Sequence, residues 1–109
     1  MKPLTQHHKE VLKCINNNYT SLQFNATTLF ELMNISPEYV RRICKAHFGK
    51  TPQQLIRDIR ITKAIELIQA NGRNNFCCKD VGFYDVRTFK KALQEFKQEH
   101  HEIAQNLSV

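Results

Sequence analysis

A chain of 109 residues, 41% hydrophobic and 24% charged, has the make-up of one small globular domain or two very small ones, which excludes a disordered chain. It has no apolar run near the ~18 residues that a membrane helix needs, and its first residues, Met1 to His8, lack the apolar core of a secretory leader, so a cytoplasmic, nucleoid-associated protein is expected. Sixteen Lys and Arg against ten Asp and Glu give a net charge of +6, which favours a polyanionic partner such as nucleic acid or an acidic membrane surface.

The scarcity of Gly and Pro, three of each, suits helices joined by short turns. The first predicted helix covers Thr5 to Asn17, where Val11, Leu12 and Ile15 share one face. A second, short helix is capped by Thr27 or Thr28 and runs through Leu32 or Met33. Asn34-Ile35-Ser36-Pro37 is then a turn and a helix start, with Ser36 as the cap and Pro37 in the first helical position.

The third helix, Pro37 to His47, has Val40, Ile43, Cys44 and Phe48 along an apolar stripe and Arg41, Arg42 and Lys45 opposite it. Gly49 stops it, and Thr51-Pro52 opens a long fourth helix to Gln69. In that helix Leu55, Ile56 and Ile59 serve the first half, and Ile61, Ala64, Ile65 and Ile68 the second. A short helix over Asn74 to Val81 leads to the turn Gly82-Phe83-Tyr84, and Asp85 caps a last helix over Val86 to Lys97. Phe89, Leu93 and Phe96 mark its apolar side, while Arg87, Lys90, Lys91 and Gln94 point away. No segment has the alternation of a strand, so the fold class is all-α.

The third and last helices form a weak internal repeat. Ser36 and Asp85, Val40 and Phe89, Arg41 and Lys90, and Arg42 and Lys91 are each separated by 49 residues. Each half therefore reads as short helix, tight turn and capped helix with two adjacent basic residues. In a helix-turn-helix the second helix enters the major groove, where Arg can pair with guanine through two hydrogen bonds. A rigid spacer between two such helices suits successive grooves, about 34 Å apart.

Several segments, taken together, resemble the DNA-binding domain of the AraC/XylS family of bacterial transcription regulators. They are Ser36-Pro37-Glu38-Tyr39-Val40-Arg41-Arg42, Phe48-Gly49-Lys50-Thr51-Pro52, Ile56 to Ala64, and Val81-Gly82-Phe83-Tyr84-Asp85 before Thr88-Phe89. The resemblance spans about residues 8–97 and implies about seven helices. These would form two helix-turn-helix subdomains, 1–51 and 71–109, joined by a linker helix over 52–70. It further implies base contacts from Glu38, Arg41, Arg42, Arg87, Thr88, Lys90 and Lys91, and phosphate contacts from Lys45, Lys50 and Thr51. Val86 is assigned to the buried face beside Phe89 and Leu93, against a thymine-methyl contact. The expected partner is double-stranded promoter DNA with a bipartite site, bound by a monomer; RNA polymerase is a candidate second partner.

Three positions depart from the family pattern. Gln98-Glu99-His100-His101 stands where a second Gly-x-Thr-Pro is usual, Cys77-Cys78 replaces a paired Ile-Ala, and Phe30 occupies a place usually held by a small residue. The two cysteines are small and apolar enough to pack, and Phe30 implies a locally repacked first unit.

Other chemistry is weakly represented. Cys14, Cys44, Cys77 and Cys78 form no C-x-x-C pair and are expected to be buried free thiols. His7-His8 and His100-His101 put neighbouring rings on different helix faces, so no metal and no cofactor is expected. Arg60, among apolar neighbours, suggests a structural salt bridge. No Gly-rich phosphate loop or catalytic motif is present, so no enzyme is expected. The competing reading is a degenerate helix-turn-helix module that binds an acidic protein, or DNA without specificity.

Overall fold

Helix starts in this chain are set by side chains that replace missing backbone partners. A computed structural model describes residues 4–100. Its α-helices are α1 (Leu4–Asn18), α2 (Ala26–Met33), α3 (Pro37–Phe48), α4 (Pro52–Asn71) and α5 (Val86–Glu99), with short 3₁₀ turns at Arg73–Asn75 and Cys78–Val81. The fold is all-α, and no strand occurs among the described residues.

The Ser36 hydroxyl accepts from the Tyr39 amide at 3.2 Å, and the Asp85 carboxylate from the Thr88 amide at 2.8 Å. Thr51 and Gln54 exchange side-chain and backbone bonds in a reciprocal capping box that opens α4. The cap of α2 is Asn25, whose side chain accepts from the Thr28 amide at 3.0 Å. That corrects the expected cap at Thr27 or Thr28, which lie inside the first turn; both Asn and Thr can cap, and the buried Ala26 draws the helix start forward. Asn34 and Gly49 end α2 and α3 in the left-handed region, at φ 54° and 65°.

The expected count of about seven helices is corrected to five α-helices among the described residues. The predicted helix over Asn74 to Val81 is replaced by two 3₁₀ turns. Asn and Asp are poor helix formers, and so few residues cannot offset the cost of nucleating an α-helix. A 3₁₀ turn brings residues three apart onto one side, which buries both Cys78 and Val81. A seventh helix at the C-terminal end falls outside the described residues.

Helix α5 continues to Glu99, two residues past its expected end. The repeat explains this: 49 residues after Gly49 stands Gln98, which has no left-handed preference and does not stop the helix.

Two apolar clusters form the interior. Val11 and Ile15 of α1, Leu29 of α2, and Val40, Ile43 and Cys44 of α3 meet Leu55 and Ile56 at the start of α4. Ile61 and Ala64, further along α4, meet Cys78, Val81, Phe83 and Ala92. One helix thus contributes to both clusters from different sides, as its divided apolar pattern predicts.

The two clusters are joined by a polar node. Arg60 of α4 donates to the carbonyls of Tyr19, Ser21 and Phe24 at 2.9, 3.0 and 2.9 Å. This corrects the expected salt bridge: the guanidinium caps backbone acceptors of the α1–α2 loop instead of a carboxylate. Gly82, at φ 90°, lies directly over this contact, and a Cβ there would collide with the Tyr19 oxygen and Arg60 Nε.

Candidate nucleic-acid interface

The two helices related by the repeat carry matching exposed faces. On α3, Glu38, Arg41, Arg42 and Lys45 are all exposed and follow the spacing i, i+3, i+4, i+7 of one helix face. On α5, Arg87, Lys90, Lys91 and Gln94 are exposed with the same spacing, each 49 residues later. Thr88 is exposed beside Arg87. The caps that set this phase, Ser36 and Asp85, obey the same offset. All seven residues expected to meet bases are therefore on the surface, in two groups on two capped helices.

The opposite sides of these helices are held by the interior. Val40, Ile43 and Cys44 are fully buried behind the α3 face. Behind the α5 face, Ala92 is buried and the Phe89 ring meets Phe76 at a tilt and Phe83 edge-on, with ring centroids 5.3 and 5.4 Å away. Val86 is 56% exposed, which corrects its assignment to the buried face: it sits in the first turn, before α5 reaches the core. Tyr84 is also exposed, beside it.

The residues expected to meet phosphate differ among themselves. Lys45 is exposed and extends the α3 face. Lys50 instead pairs with the buried carboxylate of Asp58. The Thr51 hydroxyl and amide are both used in the α4 capping box.

Asp58 is the centre of a network absent from the sequence reading. Arg57 donates to its Oδ1 through Nε at 3.0 Å and through a terminal nitrogen at 2.9 Å. Arg57 also binds Glu95 at 3.1 Å and Glu99, so α4 and α5 are tied by charge as well as by packing. Its guanidinium is held above the usual range: desolvation opposes this, but the bonds and charges of Asp58, Glu99 and Glu95 prevail. His100 adds to the same junction, lying 3.3 Å from Lys50 Nζ and stacked on Phe96.

Metal-ligand atoms of Asp58, Glu99 and His100 lie within 4.8 Å of one another. Lys50 and Arg57 already supply the compensating positive charge there, and their hydrogen bonds occupy the carboxylates. Near α3, His7 and Tyr39 share a hydrogen bond of 2.9 Å, and the His8 ring stacks on His47 at 4.3 Å. These histidines dock α1 on α3. His101 falls outside the described residues.

The cysteines are free. Cys44 and Cys78 are buried, Cys14 is half-buried and Cys77 is exposed, so the expectation of buried thiols fails at Cys77. Of the Cys77-Cys78 pair only Cys78 packs, because Cys77 stands in extended backbone ahead of the 3₁₀ turn.

A family model described as "Helix-turn-helix domain", of AraC type, matches residues 29–100, more than half of the chain. The chain belongs to the AraC-type helix-turn-helix family. It is thereby a DNA-binding domain of the kind that regulates transcription. It is also similar to the crystal structure of the C-terminal domain of the two-component response regulator YesN from Fusobacterium nucleatum. That similarity has a TM-score of 0.73 at 26% identity and covers 85% of this chain and 97% of that one. No curated protein matches. No helix among the described residues is long and apolar enough to cross a membrane.

Within this AraC-type domain, the second unit closes without Gly-x-Thr-Pro. Its place is taken by α5 running on, so that Glu99 reaches Gln54 at 3.3 Å and His100 reaches Lys50. Nothing in the sequence pattern signals Asp58 as a hub, since a lone acid beside an arginine is commonplace. Phe30 did carry a signal, as an outsized residue, and the structure gives it a partner: the guanidinium carbon of Arg41 lies 5.3 Å from its ring centroid.

Proposed function

We propose that this domain binds double-stranded DNA sequence-specifically, with α3 and α5 entering successive major grooves. One observation carries the reading: the same exposed i, i+3, i+4, i+7 face recurs after 49 residues on two capped helices packed against one spacer. Arg41 and Arg42 of α3 and Arg87, Lys90 and Lys91 of α5 reach base edges, with Glu38 and Thr88 beside them. Arg is the residue best shaped for bidentate pairing with guanine.

The dimensions support the reading. The longest extent of the described chain is 47 Å, enough for two helices about one DNA turn, or roughly 34 Å, apart. The units correspond to residues 1–51 and 71–109, with the linker at 52–70. A single chain carries both readers, so a monomer suffices, and its target is a bipartite promoter site.

Lys45 gives the main phosphate contact at the first unit, because it is exposed and, among the described residues, has no ion-pair partner. Lys50 and Thr51 reach phosphate only by giving up bonds to Asp58 and Gln54. Phosphate contacts make affinity steeply salt-dependent without conferring sequence preference. The surface outside the two exposed basic faces is left for a protein partner such as RNA polymerase.

The test is selection of bound duplexes from a random library near physiological salt. Two enriched half-elements about one turn, roughly 34 Å, apart are expected. A single half-element would remove α5 or α3 from the reading role. General, salt-sensitive binding without enrichment would leave the domain as a non-specific or partner-dependent module.

A further inference from the structure

We propose that Phe30 is a positioning residue that aims Arg41 at a guanine, sharpening the first reading helix relative to the second. The inference rests on the DNA-reading role of α3. Phe30 belongs to α2 and is half-buried against the first apolar cluster. Arg41 belongs to α3 and is exposed, with its guanidinium 5.3 Å from the Phe30 ring centroid. Among the described residues, no hydrogen bond or ion pair engages the Arg41 donors.

A guanidinium is planar and carries its N–H donors at its edge. An aromatic ring attracts its face through the ring quadrupole. The two demands do not compete, because the ring uses the face while guanine uses the edge. A long exposed side chain otherwise samples many rotamers, and that freedom is lost on binding. Phe30 removes part of the loss in advance, from a helix that caps and buried contacts hold rigidly against α3.

The second unit provides an internal contrast. Lys90 occupies the place of Arg41, and 49 residues after Phe30 stands the exposed Lys79. No cation–ring contact involves Lys90 among the described residues. The ring at position 30 thus belongs to the one reader whose matching residue is an arginine.

The experiment compares the full chain with Phe30→Leu, Phe30→Met, Phe30→Tyr, Arg41→Ala and the Phe30→Leu/Arg41→Ala double variant. Each is titrated with the duplex enriched by the unaltered protein and with duplexes changed at single base pairs. Helical circular dichroism confirms folding, and Met provides a second pliable, ring-free filler should Leu pack badly. Phe30→Leu is expected to weaken the preference for guanine at one base pair of the first half-element by about two- to five-fold, the size of an exposed cation–ring contact. Phe30→Tyr restores it, and Phe30→Leu has no further effect when Arg41 is already Ala. Unchanged preference in both Leu and Met variants overturns the proposal, as does a uniform loss over all sequences that Tyr does not rescue. Absence of any enriched duplex for the unaltered protein overturns the DNA reading and this inference with it. Enrichment with an indifferent Phe30 overturns this inference alone.

Discussion

Arg60 of α4 donates to the Tyr19 carbonyl at 2.9 Å across 41 residues of sequence, and Gly82 lies against both groups. This contact fastens the spacer helix to the α1–α2 loop of the first unit, and Gly82 of the second unit closes over it. The relative placement of α3 and α5 thus depends on a node that includes no residue of either exposed basic face.

Replacing Gly82 by Ala should unsettle this node. The φ of 90° is unfavourable for any L side chain, and the new methyl would meet backbone and a hydrogen-bonded guanidinium. Strain and overpacking together should cost about 2–4 kcal/mol. Thermal unfolding checks this, with an expected fall in Tm of roughly 10 °C or more for a domain of this size. A Tm equal to that of the unaltered protein would show that the two units do not pack at Gly82.

Asp58→Asn should leave Lys50 and Arg57 facing a neutral amide in the α4–α5 junction. Removing one member of a buried charge network typically costs about 3–5 kcal/mol; with Lys50 partly exposed, about 2–3 kcal/mol is expected after solvent screening. Urea unfolding measures it. Asp58→Asn with a midpoint unchanged from the parent protein would mean that the network is not stabilising.

Arg42→Ala and Lys45→Ala should separate reading from holding, although both residues lie on the exposed face of α3. Loss of a bidentate guanine pair costs about 1–3 kcal/mol of discrimination at one base pair. Lys45→Ala should weaken all sequences alike and reduce the salt slope by about one. Competition titrations at several salt concentrations distinguish them. Equal sequence preference before and after Arg42→Ala would remove Arg42 from the base contacts.

Thiol chemistry should report the burial pattern. Cys77 is exposed and Cys44 fully buried, and burial pushes the Cys44 thiol up to about 11. A maleimide at neutral pH should label Cys77 rapidly and Cys44 only upon unfolding. Because the Cys44 pKa is raised in the fold, its contribution to stability is complete below the unfolded value. It is lost as pH rises from about 8.5, the free thiol's value, through the folded value. Denaturation followed by mass mapping of labelled cysteines checks both statements; prompt labelling of Cys44 would contradict its burial.

Asp85 gives a sign of the opposite kind. The backbone and side-chain hydrogen bonds of Thr88 hold its carboxylate below the usual range. Its cap therefore stabilises α5 above the unfolded carboxylate value and is lost as pH falls through the lower folded value. Asp85→Asn should keep the cap geometry while removing its share of the acid sensitivity, whereas Asp85→Ala should fray the first turn of α5. Nuclear magnetic resonance of the Thr88 amide across the acid range follows the cap directly. A Thr88 resonance indifferent to Asp85→Ala would rule out the bond.

The chain by itself determined the all-α class, the long spacer and the two capped helices with exposed basic faces, for local reasons. Ser36 and Asp85 are capping residues, Pro37 and Pro52 open helices, Gly49 closes one, and the apolar stripes of α3 and α5 repeat at helical spacing. Those features act over one or two turns, and so they are visible in one dimension. They also placed Arg41, Arg42, Lys90 and Lys91 on exposed faces, because whatever lies opposite a buried stripe must meet solvent. Tertiary structure decided the remainder. The residues from Asn74 to Val81 became 3₁₀ turns because Cys78 and Val81 had to reach one cluster together. Arg60 found carbonyls, Lys50 found Asp58, Arg57 found Glu95 and Glu99, and Phe30 found Arg41, each across a gap in sequence that chain folding alone closes. A charged side chain shows in the sequence that it needs a partner; which partner it takes depends on distances that exist only after the helices have packed.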